Sequence, residues 1–344
     1  MAKASASRNV KPINLALQGG GAHGAFTWGV MDRLLEDGRL SFEAISGTSA
    51  GAMNAAVYAD GYVKDGVDGA RQALHDFWAA VAREGSRSPI QRNPINRLFG
   101  DWSLDNSPSY LFFDLLSRLA SPYEVNPLNL NPLKELLEAQ VDFARVETCW
   151  QTKLFISATN VHTGRVRVFT TPEITADTVM ASACLPFMFQ AVEIDGVPYW
   201  DGGYMGNPVL FPFFNNCAAS DVLLVQINPM VREETPKSAR EILNRINEIT
   251  FNASLMKEFR AIEFVSRLID DGKLAPDDYK QVKLHRIEDE EAIKTLSASS
   301  KMNAEWPFLD HLRDLGRTAA DQWLETCFPY VGDRSTVDIR ALFQ

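Results

Sequence analysis

The sequence predicts an α/β sandwich of three layers, helices covering both faces of a mostly parallel sheet. Three observations point there. Strand-like and helix-like segments alternate along the chain. Stretches such as Asp221 to Asn228 (DVLLVQIN) are apolar almost throughout, as a strand covered on both faces must be. And 46% apolar content over 344 residues suffices for a full core.

Taken in order, residues 1 to 11 read as a flexible tail. Ile13 to Gln18 is a short apolar strand, and Ala25 to Asp37 follows it with helical spacing, Phe26, Val30, Met31 and Leu34 forming the apolar side and Gly38 the stop. Phe42 to Ser46 is the second strand. Small residues from Ala50 to Ala59 make a helix able to lie close to the sheet, and a further helix spans residues 66 to 82. From Gly85 to Pro132 the prolines at 89, 94, 108, 122, 127 and 132 cut the chain into pieces around one helix near 108 to 120. So long an irregular insertion reads as a cap or access region. A helix follows at about 132 to 140. Lys153 to Val161 and Arg165 to Thr170 pair through His162-Thr163-Gly164. A helix runs from Thr175 to Cys184, and Val192 to Tyr199 forms a hairpin about Asp195-Gly196. The strand at Asp221, a long helix over Ser238 to Asp270, a strand from Val282 to Ile287 and a closing helix from Asn303 to Cys327 complete the chain.

A formal charge of -10 argues against duplex nucleic acid as a partner, because phosphate binding needs a basic face. Cys149, Cys184, Cys217 and Cys327 are scattered without a C-x-x-C pair, so neither a disulfide framework nor a zinc site is expected, and no cofactor is implied. The basic N-terminus lacks an apolar core, and no run approaches the roughly 18 apolar residues of a membrane span. The expectation is a soluble cytoplasmic protein. One local surface stands apart: Arg83, Arg87, Arg92 and Arg97, followed by Trp102, Tyr110, Leu111, Phe112 and Phe113, read as a face over residues 83 to 113 for peripheral contact with anionic lipid.

Two strand-to-helix turns carry the chemistry. Gly47-Thr48-Ser49-Ala50-Gly51 follows the second strand and opens a helix. In G-x-S-x-G the glycines free a sharp turn of side chains so that a serine presents its Oγ at the sheet edge. Gly19-Gly20-Gly21-Ala22-His23-Gly24 follows the first strand, and consecutive glycines let their N–H groups converge on one point, as an oxyanion hole requires. The same residues satisfy the dinucleotide fingerprint, with Glu43 about twenty residues on where a ribose-binding acid would sit. A nucleotide-binding or scaffold protein is therefore the rival of another class. A serine also needs a base. His285 completes the chain order Ser49, Asp201, His285 of an α/β-hydrolase triad, although only two strands precede Ser49 where that fold places several. His75, His162 and His311 read as structural, and His23 as a loop-fixing or lining side chain. Asp201, ending the strand VPYW and followed by Gly202 and Gly203, is a carboxylate with little steric cover that could take the serine proton, or simply a turn aspartate.

GGGAHG after the first strand, GTSAG after the second and DGG beyond, in that order, resemble the patatin-like phospholipase family over roughly Ile13 to Pro208. The resemblance implies a Ser49/Asp201 dyad without histidine and without metal. It also implies an oxyanion hole in the loop Gly19 to Ala22, with Gly24, Gly47, Gly51, Gly202 and Gly203 in support. The implied substrate is a fatty-acyl ester of phospholipid or lysophospholipid, with a short-chain or storage-polyester esterase as alternative. Residues 12 to 208 would then be the catalytic domain, including the insertion at 85 to 132, and 209 to 344 an α/β and helical continuation packed on the same core. The family usually carries Arg or Lys where this chain has His23. Ala181 to Pro186 also resembles a family segment, read as structural beside the site, and Ser300 to Asn303 resembles bacterial members and reads as packing.

Overall fold

A computed structural model describes residues 10–275 and 278–343. The expected tail at 1 to 11 lies outside these residues except at its end, where Lys11 already belongs to the first strand. The strands are β1 (Lys11–Leu17), β2 (Leu40–Gly47), β3 (Lys153–Asn160), β4 (Val166–Thr170), β5 (Val192–Ile194), β6 (Val197–Asp201), β7 (Asp221–Val225) and β8 (Lys283–Ile287). The helices are α1 (Gly24–Asp37), α2 (Ala50–Arg87), α3 (Pro94–Leu98), α4 (Pro108–Leu119), α5 (Pro122–Val125), α6 (Pro132–Gln140), α7 (Phe143–Glu147), α8 (Ala176–Ser182), α9 (Phe211–Asn216), α10 (Ala239–Asp270), α11 (Glu290–Lys294) and α12 (Trp306–Thr326).

All eight strands form one sheet in the order β5-β6-β3-β2-β1-β7-β8, with β4 also paired to β3. The run β3-β2-β1-β7-β8 is parallel, while β4, β5 and β6 join antiparallel. Alternation along β1 shows why there are three layers. Ile13, Leu15 and Leu17 face a core shared with α1, α2 and α12, while Ala16 faces a second core built with α9 and α10 through Phe213, Leu255 and Phe259.

Two segments depart from the expected pattern. The helices expected at 50 to 59 and 66 to 82 are one element, α2, broken only at Asp65 and Gly66, where Gly66 takes φ 57°. In the insertion, Pro94, Pro108, Pro122 and Pro132 open helices rather than only ending them. Each sits in a first turn, where a missing N–H costs nothing, behind a capping Asn93, Ser107, Ser121 or Asn131. The short helices α3 and α5 were not expected, because four or five residues give no period to read.

The register around β3 positions the site. β4 covers one edge of β3 from Phe155 to Thr159, so β2, paired with Lys153 to Ile156, and β6, paired with Ala158 to Asn160, share the opposite edge. They run in opposite directions, and their C-terminal ends meet beside Ser157.

Candidate active site

Ser49 is placed by the end of β2 and the start of α2. It adopts φ 54°, ψ -119°, a conformation that costs about 1–3 kcal/mol in a residue with a side chain and persists only when its surroundings impose it. Those surroundings are visible. Thr48 Oγ1 donates to the Gly206 carbonyl at 2.7 Å and lies 2.6 Å from Ser157 Oγ, while the Ser49 amide donates to Ser182 Oγ at 2.9 Å. Gly47 ends β2 and Gly51 lies in the first turn of α2.

Asp201 arrives from the other direction, at the end of β6. It is buried, 2% exposed, and one carboxylate oxygen accepts the Gly203 amide at 2.7 Å. Ser49 lines the same cavity as this carboxyl, and its hydroxyl favours the ionised form. Burial pushes this carboxyl up to about 7, against the opposing pull of the Gly203 amide, the Ser49 hydroxyl and the Lys301 charge. Residues 182–184 tie the two motifs together, since Ser182 accepts from the Ser49 amide and the Cys184 carbonyl accepts from the Asp201 amide at 2.8 Å. The segment expected to be structural beside the site is thus a strap between its two halves.

The glycine loop closes the third side. A Cβ on Gly19 would lie 2.7 Å from the Ser49 Cβ, so the loop reaches the serine turn only because that atom is missing. Gly21 holds φ 59°, and a side chain there would meet the Lys301 carbonyl at 2.4 Å. Gly24 opens α1. One expectation is corrected: the Gly19 amide donates to Asn207 Oδ1 at 2.7 Å, so it anchors the loop and is not free for an oxyanion. The amides of Gly20, Gly21 and Ala22 have no acceptor among the described residues.

Gly20, Gly21, Ala22, Ser49 and Asp201 line one cavity of about 270 Å³, walled by apolar side chains that include Met53, Phe77, Trp78, Leu133, Phe251 and Met302. No histidine is among its lining residues. His285 is instead buried between Asp221 Oδ1 at 2.9 Å and Thr336 Oγ1 at 3.0 Å, which removes the α/β-hydrolase triad. His311 stacks on Trp102, His75 packs on Trp28 and Trp306, and His162 lies exposed in the β3–β4 turn. His23 points behind the loop, with Nε2 2.8 Å from Ser300 Oγ, and burial holds it well below its usual pKa, so it is neutral. Glu43 does not face the loop either. Its carboxylate accepts the amides of Ala218 and Ala219, both at 2.7 Å, and no ribose-binding acid remains at that position. Among the described residues no three His, Cys, Asp or Glu side chains converge as a metal site, and all four cysteines are free.

A family model for patatin-like phospholipase matches residues 15–214. The chain belongs to the patatin-like phospholipase family. That membership places it among lipid acyl hydrolases. No curated protein sequence matches it significantly. Among solved structures, VipD from Legionella pneumophila is similar with a TM-score of 0.36 and 16% identity, over 88% of this chain and 67% of that one. The complex of SpcU with ExoU, from the type III secretion system of Pseudomonas aeruginosa, contains a chain similar at a TM-score of 0.34 and 15% identity. That match covers 92% of this patatin-like chain, which spans 54% of the other.

Sequence reasoning missed several residues of the patatin-like cleft. Asn207 and Asn228 hold the glycine loop from two sides, and Phe251 and Lys301 line the cavity from the C-terminal part. Gln18, the last residue before the glycines, signalled this network: its Oε1 accepts from the Ile227 and Asn228 amides at 2.9 and 3.0 Å, and a buried glutamine must have partners somewhere.

Proposed function

We propose that this chain hydrolyses fatty-acyl esters of phospholipids or lysophospholipids through a Ser49/Asp201 dyad. Ser49 Oγ attacks the ester carbonyl carbon while Asp201 takes its proton. The negative charge that develops on the carbonyl oxygen faces the amides of Gly20, Gly21 and Ala22. Collapse of the tetrahedral intermediate expels the alcohol, which leaves with the proton returned by Asp201. Water then attacks the acyl-Ser49 ester while Asp201 takes its proton, and that proton passes to Ser49 Oγ as the acyl–oxygen bond breaks and the fatty acid departs.

The observation that carries this reading is that Ser49, the buried Asp201 carboxylate and the amides of Gly20, Gly21 and Ala22 line one cavity, with burial pushing that carboxyl up to about 7. A base poised near the working pH combines a large deprotonated fraction with a strong pull on the serine proton. The test is a fluorophosphonate probe: Ser49 should be the labelled residue, and undiminished labelling of Ser49→Ala would end the proposal.

A second reading, a general esterase of short acyl chains, is favoured by the cavity's size. At about 270 Å³ it falls just below the usual range for small-molecule sites. Turnover of p-nitrophenyl esters of increasing chain length, set against phosphatidylcholine vesicles, separates the two.

The insertion bears on access. Leu104 N donates to Ser299 Oγ, and Gln190 Nε2 donates to the Asn126 carbonyl, so the insertion is fastened beside cleft-lining Met188, Phe189 and Met302. Its basic character is largely neutralised within the fold. Arg92 and Arg97 reach Glu305 at 2.6 and 3.2 Å, and Arg87 pairs with Glu84. What stays exposed is apolar: Leu98, Phe99, and along α4 Leu111, Phe112, Leu115 and Leu119. We therefore assign peripheral lipid contact to this apolar face rather than to the arginines. The matching test is vesicle binding that responds little to salt. Among the described residues no helix is long and apolar enough to cross a membrane.

A further inference from the structure

Lys301 carries the only cationic group among the residues lining the cleft, and it comes from beyond the family-matched segment. It sits on the 3-10 turn Ala298–Met302, which holds the glycine loop at three points. Ser300 Oγ accepts from His23 Nε2, because that hydroxyl already donates to the Ser297 carbonyl at 2.7 Å. The Lys301 carbonyl fills the space where Gly21 lacks a side chain. The Lys301 ammonium donates to Asn228 Oδ1 at 2.8 Å, and the Asn228 amide donates in turn to the Gly19 carbonyl at 2.7 Å.

We propose, on the reading that Ser49 and Asp201 perform the acyl transfer, that Lys301 is the positioning residue of this cleft. Its ammonium, anchored on Asn228, holds the glycine loop in donor geometry and favours the ionised form of Asp201. The turn that carries it does this without touching the scissile bond. An ammonium beside an apolar cavity acts on its neighbours more strongly than the same charge in solvent.

The groups around the pair define what titrates. Cys184 and Tyr204 face Asp201, and burial pushes both up to about 12, so both are neutral near pH 7. Facing Lys301 are His23, kept neutral first by its burial and then by the Lys301 and Arg232 charges, Glu248, which is ion-paired with Arg232 and Arg245, and Arg232 itself. Burial pushes the Lys301 ammonium down from its usual range and Arg232 adds to this, while Glu248 and Asp201 oppose it. Lys301 is thus the cation whose removal changes the field on Asp201. With that attraction gone the carboxyl holds its proton to higher pH, and the acid limb of the activity profile moves up.

The experiment measures kcat and KM for p-nitrophenyl butyrate against pH, using the full chain, Lys301→Met, Lys301→Arg and Asn228→Ala, each checked for folding by circular dichroism. Lys301→Met should lower kcat ~10- to 100-fold, leave KM within about threefold, and shift the acid limb to higher pH. Lys301→Arg, which keeps the charge, should restore the limb and part of kcat. Asn228→Ala, which cuts the link to the loop but keeps the ammonium, should lower kcat without moving the limb. A folded Lys301→Met with the wild-type limb and kcat within about threefold would overturn the proposal. Should that variant not fold, Lys301→Gln takes its place with the same two outcomes. Loss of all turnover in Ser49→Ala, measured alongside, keeps a failure of Lys301 distinct from a failure of the dyad.

Discussion

The segment from 15 to 214 and the segment that follows it contribute to the cleft in different ways. The first supplies contiguous motifs: a serine in a strained turn, a carboxylate at a strand end, a loop of glycines. The second supplies isolated residues, Asn228, Phe251 and Lys301, from a loop, a long helix and a 3-10 turn. Ser49 and Gly21 hold backbone conformations at positive φ, which only particular short sequences permit. Supporting groups need only be in the right place, and many sequences can bring them there. The comparison teaches that a motif marks where the chemistry is, whereas the residues that set its geometry and charge come without one.

The sharpest way to break the comparison is to delete one of the two proposed reacting groups. Ser49→Ala should lower turnover of a soluble ester by at least ~10⁴-fold, read as the steady-state rate on p-nitrophenyl butyrate. Asp201→Asn should follow with ~10³-fold, since the fold stays intact and only proton transfer fails.

The same aspartate gives a pH prediction with a definite sign. In the unfolded chain a carboxyl of this type titrates near 3.9, and in the fold Asp201 titrates at about 7. The folded state therefore binds the extra proton between those values, and stability falls as pH rises through that window. Above pH 7 the buried charge costs at most roughly 4 kcal/mol. Asp201→Asn should accordingly unfold at a higher temperature than the wild type at pH 8, with the difference shrinking towards pH 4. Activity should rise across the same region, with a midpoint near 7, as Asp201 becomes a base. A wild-type midpoint near 4 would mean that this carboxyl is not the proton acceptor.

Gly19→Ala sharpens the comparison at the boundary between motif and support. The new methyl meets the Ser49 Cβ at 2.7 Å, and a displacement of that size should cost ~10²-fold in kcat with little change in KM. The smallest effect on the chemistry is expected in the insertion. Phe112→Asp with Leu115→Asp should leave turnover of a soluble ester within about twofold and weaken binding to phosphatidylcholine vesicles ~10-fold or more. That loss should be similar at about 0.05 and 0.5 M salt, because Arg87, Arg92 and Arg97 are already paired with Glu84 and Glu305.

The sequence alone determined a good deal. The alternation of apolar runs and helical periods placed β1, β2, β3, β7 and β8 and the helices α1, α10 and α12, because those periods are local properties of the chain. Gly47 to Gly51 and Gly19 to Gly24 were legible as turns for the same reason, and the three motifs in order were enough to recognise the family. What only the tertiary structure decided is everything that rests on register. β2 and β6 meet end to end on one edge of β3, and that meeting brings Ser49 to Asp201. The Gly19 amide goes to Asn207, His23 turns away to Ser300, and Lys301 comes to the cleft from far along the chain. Pairings of this kind join residues with no local pattern in common, and they are chosen by how whole faces pack; no stretch of sequence short enough to read as a motif contains them.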